Sequence, residues 1–232
     1  MDRPSPQTLA RLAGALFVLT FLTAIPAVLL YDSILNDTDF IVGGAGANGP
    51  VLLGAFLEVL LIVANIGTAL ALWPVVKRQN EGVALGYVTA RVMECALIAV
   101  GIVSLLAITT LRDDGGNAGT LTAIGQSLVA IHDWTFVLGP GFVVGIGNGL
   151  MLGYLMYRSG LVPRGMALLG LVGGPLVCIS GVLVVFGVFD QGGAGQGIFT
   201  IPEFLWEASL GIYLLVKGFR ASSPVLASAP LR

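Results

Sequence analysis

The chain has 232 residues, 56% of them hydrophobic and only 10% charged, with a formal net charge of −2 and a mean hydropathy of +0.95. Soluble domains carry roughly 25% charged residues, so a chain this apolar has lipid rather than water as its solvent. The small net charge and the lack of any basic cluster exclude a nucleic-acid partner; two cysteines inside apolar runs, Cys95 and Cys178, exclude a disulfide framework, and a single histidine excludes a His-rich metal site.

Crossing about 30 Å of hydrocarbon takes about 20 apolar residues in a helix. Six runs meet that length. The first is Leu12–Tyr31, preceded by Arg3 and Arg11. It outlasts the roughly 7–15 apolar residues of a signal-peptide core and has no clean small-x-small site, so it reads as a retained span. An acidic, Gly-rich loop, Asn36–Pro50, leads to the second run, Val51–Val76. Lys77 and Arg78 turn the chain into the third, Val83–Leu111, which ends at Arg112, Asp113 and Asp114. The segment Gly119–His132 is amphipathic: it either lies on the membrane surface or extends the fourth run, Trp134–Tyr157, outward. Arg158 and Arg164 frame the turn to the fifth, Met166–Phe189. The sixth, Ile198–Val216, is followed by Lys217, Arg220 and Arg232.

The runs are continuous rather than alternating, which rules out a β-barrel. The fold class is therefore all-α, a single six-helix transmembrane domain over residues 1–220. Residues 221–232, small and Pro-punctuated, are expected to form a short disordered cytoplasmic tail. Nine of the eleven basic residues fall on one side of the alternating loops. The positive-inside rule then puts both termini in the cytoplasm of a multi-pass protein, with the bilayer as its first partner.

Glycine and proline punctuate the spans, as in "GPGFVVGIGNGLMLG" (Gly139–Gly153) and "GLVGGP" (Gly170–Pro175). Close helix packing explains such glycines more simply than a broken helix that exposes its backbone. Pro140 and Pro175 are expected to kink their helices, and Pro202 to sit harmlessly near the start of the sixth. Trp134 and Trp206 fit an interfacial aromatic belt. A shift of 83 positions pairs Asn65 with Asn148, Leu72 with Leu155 and Cys95 with Cys178, but six identities in 31 positions of Gly- and Leu-rich sequence are what chance returns.

Once the loop charges are set aside, the spans still hold Glu58, Arg91, Glu94, Glu203 and Glu207, with His132 and Asp133 at the mouth of the fourth. At 1.5 Å per residue, Arg91 lies about 12 Å in from the cytoplasmic end, Glu94 near the midplane, and Glu58 and Glu207 about 10 Å in from the outer end. A charge at that depth costs about 2.5–3.5 kcal/mol on insertion scales, so each must face the bundle and find a partner. Glu58 or Glu207 is the expected partner for Arg91, because Arg preceding Glu at i+3 is the weaker helical orientation. Asn65 and Asn148 are further polar groups that need partners.

The leading functional reading is a site for a small polar ligand or a cation in the outer half of the bundle, for binding or transport, built on Arg91, Glu94, Glu58, Glu203, Glu207, Asn65 and Asn148. Against it stand a purely structural ion-pair network and a metal-dependent intramembrane enzyme using His132 and Asp133. Neither an H-x-x-x-H spacing nor a Gly-x-Ser-x-Gly motif is present, so no catalytic residue and no cofactor is assigned.

Three stretches carry a resemblance: "ARLAGALFVLTFLTAI" (Ala10–Ile25), "GYLMYRSGLVPRGMALLGLVGG" (Gly153–Gly174) and "PEFLWEASLGIYLLVKGF" (Pro202–Phe219). Together they resemble the bacterial family catalogued as domain of unknown function 4386. The turn "YRSGLVPRG" and the closing "LWE…GIYLLVKGF" are the most specific parts. The resemblance implies six membrane helices in the bacterial cytoplasmic membrane, and implies no activity.

Overall fold

Apolar runs of this length have one stable form in lipid, a helix that satisfies its backbone N–H and C=O groups internally. A computed structural model of the protein describes residues 4–44 and 46–227. Arg3, Arg232 and the last five tail residues lie outside the described residues, as does Ala45 in the Asn36–Pro50 loop. Six helices are long and apolar enough to cross a membrane, and no strand occurs among the described residues.

In chain order the spans are α1 (Pro6–Leu30), α3 (Asn48–Val76), α4 (Glu81–Asp114), the α5–α6 rod, α7 (Arg164–Val185) and α8 (Ala194–Val216). The short helix α2 (Asp32–Asn36) and a 3₁₀ turn (Phe40–Val42) fill the first loop. The rod comprises α5 (Ala118–Phe136), two π-helical stretches (Val137–Val143 and Gly145–Leu152) and α6 (Gly153–Ser159). Helix α1 packs between α3 and α8, α4 lies between α3 and the rod, and α7 joins the rod to α8, closing a ring.

The ends of the helices follow local chemistry. The Ser5 and Asn80 side chains each accept an N–H from the first turn of α1 and α4. Gly160, at φ 63°, stops α6 in the left-handed conformation that glycine adopts without strain. The segment Gly119–His132 extends the fourth span outward, because Asn117 caps α5 and its small face seats on Ile41. A Cβ at Gly125 would meet Ile41 at 3.1 Å. Helix α8 starts four residues before the expected Ile198, since Gln196 Oε1 accepts the Gly192 N–H at 2.7 Å and stabilises an earlier turn. Pro202 therefore stands inside the helix, where its missing N–H leaves the Ile198 carbonyl without its i+4 donor.

The start of α1 and the segment after α8 meet at the end that carries Lys77, Arg158 and Arg164, here the basic end. Gln7 Nε2 donates to the Phe219 carbonyl at 2.8 Å and Gln7 Oε1 accepts the Phe219 N–H at 3.0 Å. The tail expected to be disordered is docked there as far as residue 227. Ser223 Oγ donates to the Ser159 carbonyl at 2.7 Å, Arg220 N to Leu161 O at 2.8 Å, and Arg78 reaches the Val225 carbonyl. Helix α9 (Pro224–Ala227) buries Val225. Composition suggested disorder, but Phe219 and Val225 supply apolar anchors and the hydroxyl of Ser223 finds a carbonyl.

Apolar packing is concentrated in two layers. Near the basic end, Trp206, Tyr87, Phe17, Leu72, Leu155 and Met156 form the larger cluster. At the opposite, acidic end Tyr31, Ile34, Phe40, Val51, Leu105 and Ile108 form the second. Trp206 is thus fully buried rather than in an interfacial belt. Its Nε1–H donates to the Asn148 carbonyl at 2.9 Å, and its indole lies where a side chain on Gly170 would be. Trp134, at 42% exposure, keeps a position an aromatic belt accepts.

The glycines of the fourth and fifth spans serve close approach. A Cβ at Gly145 would meet the Gly174 carbonyl at 2.7 Å, and Gly149 faces the Gly174 backbone. The rod is not broken open at Gly139–Gly153. It widens into π turns, which keeps backbone hydrogen bonds such as Gly153 N–H to Asn148 O.

Candidate functional site

On α4 the positions Tyr87, Arg91, Glu94, Cys95 and Ile98 recur at helical spacing on the buried face. This register brings Arg91 and Glu94 together between the two apolar layers. Arg91 Nη1 donates to Glu94 Oε2 at 2.7 Å, and Asn65 Nδ2 of α3 donates to Glu94 Oε1 at 3.0 Å. The guanidinium also lies over the Phe17 ring, 5.4 Å from its centroid. The expectation that Glu58 or Glu207 would take Arg91 is corrected: both are engaged by neutral donors, and burial of one α4 face makes the i+3 neighbour the nearest carboxylate. Arg91 is 2% exposed, and its Nε–H has no acceptor.

Glu207 of α8 accepts a hydrogen bond from Asn148 Nδ2 of the second π stretch. One turn away, Glu203 is 3% exposed and neither of its carboxylate oxygens has a donor. It occupies a slot made by the absence of two side chains: a Cβ on Gly149 would meet Oε2 at 2.7 Å, and one on Gly173 at 2.8 Å. Asn148 Oδ1 is likewise buried without a partner.

Toward the acidic end, Glu58 of α3 accepts from the Tyr31 hydroxyl at 2.8 Å. Sequence reasoning did not pick out Tyr31. Its signal was a phenol at the end of an apolar run, an amphipathic side chain able to reach back to a carboxylate. Tyr31 packs edge-on against His132, with ring centroids 5.8 Å apart. His132 is buried, and its Nδ1 lies 3.3 Å from Asp133 Oδ1.

Part of this cluster borders one cavity of about 370 Å³. Of the seven residues predicted for the site, Glu58, Asn65, Arg91, Glu94 and Glu207 line it, while Asn148 and Glu203 stand behind its wall. The rest of the lining is apolar, with Phe21, Phe136 and Phe204 among it. At its rim Ile25, Leu29 and Phe204 are exposed on the outer face of the helices, where lipid would lie. A second cavity of about 290 Å³ shares Val28, Glu58 and Phe136 with the first and continues to Asp133, Asn36 and Gln191 at the acidic end. Glu58 thus borders both cavities.

Among the described residues no three His, Cys, Asp or Glu side chains come close enough together to hold an ion. His132 and Asp133 stand together as two ligand-type side chains, and Glu203 and Glu207 are directed to the rod instead.

A family model described as "Domain of unknown function (DUF4386)" matches residues 12–218. Neither a curated protein nor a solved structure matches the chain.

Proposed function

Because the chain belongs to the DUF4386 family and has six helices long and apolar enough to cross a membrane, we propose its function from the cavity: it binds a small polar ligand or a cation within the membrane and carries or senses it. The single observation behind this reading is that Glu58, Asn65, Arg91, Glu94 and Glu207, from three helices, line one cavity. With the basic end in the cytoplasm, as the positive-inside rule requires, the second cavity lies on the outer side. Arg91 and Glu94 form the fixed floor, and Glu58 and Glu207 are the adjustable groups, each held by one neutral donor. Asn148 and Glu203 support the wall.

A structural reading is favoured by one observation, the closed chain Asn65–Glu94–Arg91, which fixes α3 against α4 without any ligand. Native mass spectrometry of protein released from mild detergent separates the two readings. A retained ion, metabolite or lipid that is lost in folded Glu207→Gln protein supports the site. No retained mass, with Glu207→Gln merely less stable, assigns the charges to architecture.

A further inference from the structure

The cavity has an imbalance of charge. Its lining holds Glu58, Glu94 and Glu207 against Arg91 alone, and Arg91 is already paired with Glu94 at 2.7 Å. Among the described residues, the ion pairs are Arg91 with Glu94 and His132 with Asp133. Neither Glu58 nor Glu207 forms an ion pair; His132 acts on Glu58 and Arg91 on Glu207 only from beyond contact. A carboxylate without a contacting cation at membrane depth is costly, and a positive group placed between the two would lower that cost.

Two further features narrow the class. Phe21, Phe136 and Phe204 stand in the same wall, with Phe21 and Phe204 in edge contact at 5.2 Å and 83° across the α1–α8 seam. Aromatic faces beside carboxylates are the chemistry that recognises ammonium groups, quaternary ones included. The rest of the wall is apolar and its rim faces lipid, which fits an apolar body and not a bare ion.

We propose that the ligand is an organic ammonium ion with an apolar body. The ammonium sits between Glu58, Glu207 and the phenylalanines, and the body extends to the lipid-facing rim. This rests on the reading of the cavity as a binding site.

Calorimetric titration of the full chain in nanodiscs tests the class with three probes. Benzyldimethyl(2-hydroxyethyl)ammonium carries charge and ring. Neopentylbenzene keeps the ring and the branched body without charge, and sodium keeps only the charge. The first should bind at least about tenfold tighter than neopentylbenzene, and 150 mM sodium should not displace it. Glu207→Gln should weaken it about tenfold. Phe204→Leu, at a position 47% exposed, should weaken it severalfold more than it weakens neopentylbenzene. Equal binding of the neutral probe, displacement by sodium, or indifference to both substitutions overturns the class and leaves the cavity as a site. So does a native mass spectrum that retains an uncharged or anionic molecule while no probe binds. If no probe binds and no mass is retained, the reading of the cavity as a site falls as well.

Discussion

The ion pair on α4 gives the sharpest test of the energetics. Arg91→Met removes the cation and leaves Glu94, 5% exposed, with Asn65 as its only donor. Breaking a buried pair this way costs about 3–5 kcal/mol, because a buried charge is left uncompensated. Glu94→Leu should cost about the same, since it orphans the guanidinium, which already lacks an acceptor at Nε. Arg91→Met combined with Glu94→Leu removes both charges together. What remains is the Asn65 amide without its acceptor, a loss of about 1–3 kcal/mol. The double variant should therefore be more stable than either single one, with a coupling energy of at least about 3 kcal/mol. That exceeds the ~0.6 kcal/mol average for interhelical hydrogen bonds in a membrane protein. Equilibrium unfolding in mixed micelles of rising SDS fraction, followed by tryptophan fluorescence, measures all four corners of the cycle. Additive losses would refute the reasoning, because they would mean the two charges find separate partners.

Gly173→Ala should lower stability by about 1–3 kcal/mol by the same assay, because its Cβ would lie 2.5 Å from the Glu203 backbone N, while Gly165→Ala, which meets nothing within 4 Å, should change it by less than about 1 kcal/mol. Glu203→Met should raise stability by about 1–3 kcal/mol, since it removes two buried oxygens that have no donor; a loss instead would show that Glu203 has a partner in the membrane. Gln7→Ala removes both hydrogen bonds to Phe219, so trypsin should cut after Arg220 several times faster with no change in global unfolding. In intact cells a membrane-impermeant maleimide should label Asp190→Cys and not Lys77→Cys, and the reverse pattern would invert the topology.

The six spans were legible because run length and lipid thickness leave no other fold, and the choice of inward-facing charges was legible because insertion cost forbids the alternative. Partners were not. Arg91 was expected to reach another helix, yet the i+3 neighbour took it, because Tyr31 and Asn148 had already engaged Glu58 and Glu207. Those donors lie 27 and 59 residues from their carboxylates, and hydropathy carries no information over such separations. The burial of Trp206 had the same cause: its cavity is the missing side chain of Gly170, and a glycine in sequence does not say what fills its place. Tail composition misled for a related reason, since one hydroxyl and two apolar anchors are too sparse to register as a pattern.

On the proposed reading, the carboxylates divide between architecture and binding. Glu94 has a cation on one oxygen and an amide on the other, so it is satisfied with nothing bound. Glu58 and Glu207 each have one neutral donor and border open space. A network selected only to hold helices would close on itself, since every open carboxylate lowers the stability that such a network provides. Here the closed part lies on α3 and α4, while Glu58 and Glu207 border the cavity and Glu203 stands open behind its wall. On the proposed reading, the floor holds its geometry while Glu58 and Glu207 exchange partners.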